Sequence, residues 1–277
     1  MIIQIVRDNF TIPTWLMMGA LIQGLLCLLP YRNSALVAPV VLVLTYQIVR
    51  TVLISFGVLH NPYMDGVIDG RTVPVFATEK GTREKPADQG VCAIMLAVRS
   101  NSPLGMFAPG FKEVGDYFQT MSAELDKQAT ALGYMGQSQW LSAGDRGVSS
   151  EYMSMVYFES SEKLHEYAHG PLHTDAMEWW QRTAKQHKHI AIMHEVFAAP
   201  KNSWEGVYIN YHPTGLGAAR KEATVDGKQV WINPLVKGNG RLTYSKGRMG
   251  KPFGNGEWNA FEKTLEEDEK EGLPLNN

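Results

Sequence analysis

Two apolar runs open the chain. No charged side chain lies between Asn9 and Tyr31, a window that contains TWLMMGALIQGLLCLLP. A helix over residues 10–29 would be about 30 Å long, roughly the hydrocarbon thickness of a bilayer. Pro30, Arg32, Asn33 and Ser34 make a polar turn, and a second run, ALVAPVVLVLTYQIVRTVLISFGVL, follows over residues 35–59. Gln47 and Arg50 interrupt it, but Arg50 lies near the end of the run and can reach the interface or face a partner helix. Two adjacent runs of this length predict a membrane hairpin over residues 1–60 with both ends on one side. Two other structures carry such runs. One is a cleaved signal peptide, although no small-x-small site precedes the second run; the other is a buried hairpin of a soluble protein.

Beyond residue 60 the periodicity changes. Residues 61–90 are rich in Gly, Pro and charge and predict a linker with one short strand near residues 72–77. CAIMLAVR (92–99) predicts a buried strand. In residues 111–132, Phe111, Val114, Tyr117, Phe118, Met121, Leu125 and Leu132 recur at helical spacing, and Gly133 stops the helix. YMGQSQWLSA (134–143) and the alternating SEYMSMVYFES (150–160) predict a strand pair around a turn at residues 144–147. A second helical region runs from Ser161 to about Lys185, and IAIMHEVFAAP (190–200) is the next strand. The order β-α-β-β-α-β over residues 91–218 predicts an α+β, ferredoxin-like domain. Its helices lie on one face of the sheet, and the chain has no second repeat to cover the other, so a homodimer is expected. WEGVYINYHPTGLGA (204–218) predicts a further strand ending in a Pro/Gly turn. Residues 219–277 predict a Gly-rich, partly disordered tail. Its basic stretch runs from Lys228 to Lys251 with no acid, and EEDEKE follows; the basic stretch suits solvent or anionic headgroups beside the anchor.

Charge sharpens this division. The chain has 277 residues, 26 Lys+Arg against 28 Asp+Glu and a net charge of −2. Only Arg7, Asp8, Arg32 and Arg50 fall in the first sixty residues. This balance argues against nucleic acid as a partner. Cys27 and Cys92 alone make neither a disulfide scaffold nor a multi-cysteine metal site. Phosphate-cradling glycine motifs and the G-x-S-x-G elbow are absent, which removes P-loop, dinucleotide and serine-hydrolase chemistry.

Six of the eight histidines lie between positions 165 and 194. His165, His169 and His173, spaced i, i+4, i+8, border the apolar stripe of the second helical region and can line a cavity between helix and sheet. Gly170–Pro171 would split that region, so that His169 caps one helix and His173 opens the next. These residues are candidate acid/base groups, substrate contacts, metal or haem ligands, or plain amphipathic spacers. His187 and His189 precede a strand and suit an exposed turn. In IAIMHEVF, strand alternation sends His194 and Glu195 to opposite faces. Apolar Ile192 and Val196 share the face of His194 and favour a neutral, proton-accepting imidazole, so the catalytic set expected is His194, with His173 as the alternative base, together with Glu195. Glu195 is expected at the partner sheet, because a lone buried carboxylate is costly. H-E-x-x-H is not completed, because position 198 is Ala198. His169, Trp180, Tyr157, Met155 and Trp140 are candidate contacts for a long apolar substrate.

The segments SMVYFESSEKLHEYAHGPLHTDAMEWW, IAIMHEVF and WEGVYINYHPTGLGA resemble the fumagillin-pathway-type polyketide monooxygenases and their bacterial relatives. The resemblance covers roughly residues 65–250. Its most specific elements are the His194–Glu195 strand and the stretch from Tyr208 through Asn210 to Pro213, Thr214, Gly215, Leu216 and Gly217. That family is similar to the antibiotic-biosynthesis monooxygenases. The resemblance implies a dimeric α+β barrel and oxidation of a polyketide or terpenoid intermediate in fungal secondary metabolism. It also implies oxygen chemistry that needs no cofactor, or else a haem held by a histidine near the second helix, at His165, His169 or His173. The sequence thus predicts a membrane-anchored monooxygenase with its catalytic domain on the cytosolic side of the endoplasmic reticulum. The partners expected are a small hydrophobic substrate, membrane lipid and a second copy of the chain. A haem-dependent or cofactor-free lyase, isomerase or cyclase, and a non-catalytic carrier of a lipophilic intermediate, are the alternatives on the same fold.

Overall fold

The computed structural model describes residues 2–83, 85–142 and 146–252. The acidic end beyond residue 252, and part of the turn expected at residues 144–147, lie outside them.

Three helices come first. α1 (Ile2–Asp8) is short. α2 (Ile12–Leu26) begins at an N-cap, where Thr11 accepts a hydrogen bond from the Thr14 amide and Pro13 occupies the first turn. α3 (Arg32–Ser55) follows, and neither α2 nor α3 contains a buried residue. Gln23 of α2 donates its side-chain amide to the Ala35 carbonyl at 3.2 Å and also to that of Leu36. These bonds tie the two helices together and satisfy a polar group on an apolar surface. α3 has a mean hydropathy of 2.0 over its most apolar window and is long enough to cross a bilayer; α2 is shorter. By length and composition, α3 suits a membrane anchor or a signal sequence.

The central layer is a four-stranded antiparallel sheet. Its strands are β2 (Val91–Ser100), β3 (Tyr134–Leu141), β4 (Tyr152–Phe158) and β5 (Ile190–Ala199), ordered β3-β4-β2-β5. That order is the split-βαβ arrangement the element pattern predicts. On its helix side lie α4 (Phe111–Lys127), the single turn α5 (Ala129–Leu132), α6 (Ser161–Ala168) and α7 (Pro171–Thr183). Gly133 closes α5 with a φ of +62°. Ser160 caps α6 by accepting the Lys163 amide at 3.3 Å. The helix–sheet core contains Cys92, Leu125, Tyr134, Val156, Phe158, Leu164 and Tyr167. Phe158 is only 1% exposed, so its burial stabilises the fold by about 1.5–3 kcal/mol.

The segments expected as a linker and a tail are built into the fold. β1 (Ile68–Pro74) lies between β6 (Tyr208–Tyr211) and β9 (Leu235–Lys237) in a second, three-stranded antiparallel sheet. β7 (Lys221–Val225) and β8 (Lys228–Ile232) form a hairpin, and α8 (Ser245–Arg248) closes the described chain. The basic side chains of this region include Arg248, whose Nε donates to Glu205 at 2.6 Å. Phe76, Ala87, Trp204 and Ala219 from these segments form a second core with Val91 and Met135 of the central sheet. The chain therefore covers one end of the helix-free face itself, where the sequence predicts cover by a second copy. Farther along that face, Trp140 and Phe197 remain 43% and 54% exposed.

Candidate functional site

A cavity of about 700 Å³ lies between the helices and the central sheet. Ile94, Leu96 and Val98 of β2, Val156 of β4 and Ile192, His194 and Val196 of β5 form its floor. The register puts them on one face: Ile94 pairs with Val156 and Val196, and Leu96 pairs with His194. Val114, Tyr117, Phe118 and Met121 of α4 and His173, Ala176, Trp179 and Trp180 of α7 form the roof. Aromatic pairs stiffen these walls. Tyr117 and Trp179 lie 5.4 Å apart, and Phe118 meets Tyr152 edge-on at 5.7 Å. No lysine or arginine lines the cavity among the described residues.

Three imidazoles reach this space. Pro171 ends the α6–α7 continuity, which places His173 in the first turn of α7 beside Tyr167, at 6.1 Å between rings. His173 Nδ1 is buried and has no hydrogen-bond partner among the described residues. Burial pushes this imidazole below its ordinary range; the Ala168 backbone carbonyl opposes the shift, and the neighbouring His194 and His169 add to it. His194 lines the opposite wall on β5, the edge strand, and is exposed. His165 lines the cavity from α6.

The other candidates fall elsewhere. His169 caps α6, packs tilted against His165 at 4.2 Å between rings and donates Nδ1 to the His165 carbonyl at 2.8 Å, away from the cavity lining. Trp180 lines the cavity, whereas Met155, Tyr157, Trp140 and Glu195 lie on the opposite face of the sheet. Met155 pairs directly with Met95 and Ser138, and Glu195 pairs with Met95, all in the helix-free register. Glu195 is exposed and has no ion-pair partner among the described residues. Tyr157 packs into the second core, and burial pushes its phenol up to about 12. These corrections share one cause. Strand alternation assigns a face to each residue, but the sequence alone does not say which face the helices cover.

Sequence pattern also missed part of the lining. Ile5, Asp8 and Asn9, at the end of α1, form part of the wall. The signal for them was Asp8, the one acid among the first sixty residues. The Tyr208–Gly217 stretch has a structural place: the Gly217 amide donates to Tyr208 Oη at 2.9 Å, and the Gly215 amide donates to Ser138 Oγ at 2.7 Å. A Cβ on Gly217 would come within 3.0 Å of the Tyr208 ring.

No group of three metal-binding side chains occurs among the described residues. A haem would take an axial imidazole, which His173 can supply, and cationic partners for its two carboxylates, which the described lining lacks. The residues present do not fit that group.

The chain is 31% identical over 249 residues to Monooxygenase af470 of Aspergillus fumigatus, covering 88% of this chain and 89% of that one. Among solved structures, an aldoxime dehydratase in complex with butyraldoxime is 15% identical with a TM-score of 0.40, covering 53% of this chain and 39% of that one. SnoaB of Streptomyces nogalater, a cofactor-independent oxygenase, is 12% identical with a TM-score of 0.26, covering 39% and 92%. The family model described as Monooxygenase af470-like matches residues 91–216. With that match and the relative spanning nearly the whole length, the chain belongs to the af470-like monooxygenase family.

Proposed function

We propose that the protein is a membrane-anchored monooxygenase that oxidises a neutral, hydrophobic polyketide or terpenoid intermediate. The observation that carries this reading is the cavity: about 700 Å³, walled largely by aliphatic and aromatic side chains, with a half-buried imidazole at His173 whose Nδ1 is enclosed. An apolar pocket with few polar groups suits a substrate that leaves water readily. Family membership supports oxygen as the co-substrate.

In this reading His173 is the base. Its neutral form accepts a proton from an acidic carbon or hydroxyl of the substrate, and burial keeps that form populated at neutral pH. Electron density left on the substrate reduces molecular oxygen. A methylene becomes a carbonyl, one oxygen atom enters the product and the other leaves as water. The substrate supplies all the electrons, so the step requires no reductant. His194, across the cavity, orients the substrate or returns the proton. The aromatic walls limit the contact of the reactive carbanion with water.

The anchor reading rests on α2 and α3. Their apolar side chains are exposed throughout, and a span of that composition is stable in lipid rather than water. α1 is fixed to the catalytic domain at one end of the hairpin and β1 at the other, which supports both ends on one side. We place that side in the cytosol, at the endoplasmic reticulum. A homodimer across Trp140 and Phe197 would cover what the second sheet leaves open.

The test is oxygen uptake by the full chain in lipid with candidate polyenes and polyketides, alongside product analysis. Turnover with one oxygen consumed per product supports the reading. Product without oxygen uptake selects a lyase, isomerase or cyclase, and stoichiometric binding without turnover selects a carrier.

A further inference from the structure

The geometry assigns residues 5–9 to the substrate site: Ile5 is a specificity-determining wall residue, Asp8 and Asn9 hold it in place, and a neutral lipid-dissolved substrate enters past it from the bilayer. This rests on the anchored reading above.

Four hydrogen bonds fix the segment. The Ser149 amide donates to the Asp8 carbonyl at 2.8 Å. The Ser150 amide donates to Asp8 Oδ2 at 2.6 Å and the Ser150 hydroxyl to Oδ1 at 3.1 Å. The Met106 amide donates to Asn9 Oδ1 at 2.8 Å. Both carboxylate oxygens of Asp8 are thus occupied, so the acid at the wall is satisfied rather than presented to a ligand. The receiving loops are shaped for this contact. A Cβ on Gly105, whose φ is +56°, would stand 1.9 Å from Asn9 Oδ1. Arg146 secures the other side, donating to the carbonyls of Ser100 at 3.0 Å and Ser149 at 2.7 Å.

A latch of this kind is not needed to tether a passive anchor; a slack linker would serve. Here Asn9 lies three residues before α2, so the cavity wall is within about 10 Å of the start of the apolar hairpin. Phe10 continues the apolar surface between them, packing on Phe107 at 6.2 Å and edge-on to Trp15 at 5.5 Å. The Trp15 indole donates to the Arg7 carbonyl at 3.0 Å, which fixes the hairpin's root to α1. A neutral molecule leaving the lipid at this root passes the satisfied polar groups of Asp8, Asn9 and Ser150 and then meets mostly aliphatic and aromatic surface toward His173. A carboxylate would find no cation on the described walls.

The experiment uses the full chain in phosphatidylcholine vesicles and a neutral long-chain diazirine dissolved in the lipid, with the labelled peptides mapped by mass spectrometry. Wild type is expected to be labelled in α2–α3 and in the cavity segment of α7. Ile5→Trp, which fills the wall, should lower cavity labelling about fivefold or more and leave hairpin labelling unchanged. Asn9→Ala, which releases the latch without adding bulk, should raise it about threefold. The carboxylate analogue of the probe should label the hairpin and spare the cavity. Hairpin labelling with cavity labelling indifferent to both variants overturns the route and leaves the anchor standing. A chain that fails to float with vesicles and is unlabelled in the hairpin overturns the anchor and the route together.

Discussion

His173 and His194 sit on facing walls of one cavity, but their surroundings differ. His194 stands on an exposed edge strand, whereas His173 has a buried nitrogen with no partner. We therefore expect His173→Gln to reduce turnover by about two to four orders of magnitude, the usual worth of a general base, while His194→Ala costs about tenfold. Steady-state kinetics on both variants checks this ranking; the reverse order would return the base to β5. The pH dependence follows from the same burial. The neutral imidazole is the active form and its pKa is lowered, so the acidic limb of the rate profile should lie below the ordinary imidazole value of 6.5. Stability has the same sign. The unfolded chain takes up this proton first as pH falls, so stability present above about pH 6.5 is lost on descending through the folded value. Thermal melts at about pH 7.5 and about pH 5.5 should differ less in His173→Gln than in wild type. Glu195→Gln should leave turnover within about twofold, since that side chain faces away from the cavity.

Among the elements, legibility followed length and locality. The four central strands are seven to ten residues long and read as apolar runs or, in β4, as an alternation, and the helices between them carry an apolar stripe. Those features show in any window of the sequence. The second sheet shows only in part: strands were expected near residues 72–77 and within 204–218, but not the third strand or the pairing. Its strands are three to seven residues long, and β1 pairs with β6 some 140 positions away, so no local pattern marks the partnership. The side chains that clamp it read as an ordinary Pro/Gly turn. Their cost can be measured. Tyr208→Phe leaves the Gly217 amide without its acceptor in a partly buried place and should lower stability by about 1–3 kcal/mol, read by chemical denaturation. Phe158→Ala, in the central core, should cost more, about 3–5 kcal/mol.

For the whole molecule, the contrast between the apolar first sixty residues and the rest was legible as a change of composition, whereas the segments expected as linker and tail supply sheet strands, and the contacts that join them to the centre were not legible. Asp8 gave no sign that it would bond to Ser150, 142 residues on. This changes what truncation means. Removing residues 1–60 leaves the helix–sheet core whole, because its members run from Cys92 to Tyr167. The shortened chain should stay folded, yet its cavity lacks Ile5, Asp8 and Asn9. Calorimetry with a neutral apolar ligand should show affinity reduced about tenfold or more relative to the full chain in detergent. Equal affinity would remove the N-terminal segment from the ligand site.

The break at Gly170–Pro171 has a consequence for motion. α6 is held by buried Leu164 and Tyr167, but α7, which carries His173, Trp179 and Trp180, has no buried residue of its own. A continuous helix would share the grip of its first half with its second. Pro171 cannot donate the hydrogen bond that would couple them, so α7 depends on its own contacts, among them Tyr117 Oη donating to Asp175 at 3.1 Å, and is expected to open more readily than α6. Its amides should exchange with deuterium faster than those of α6, and saturating the cavity with ligand should slow α7 while leaving α6 unchanged.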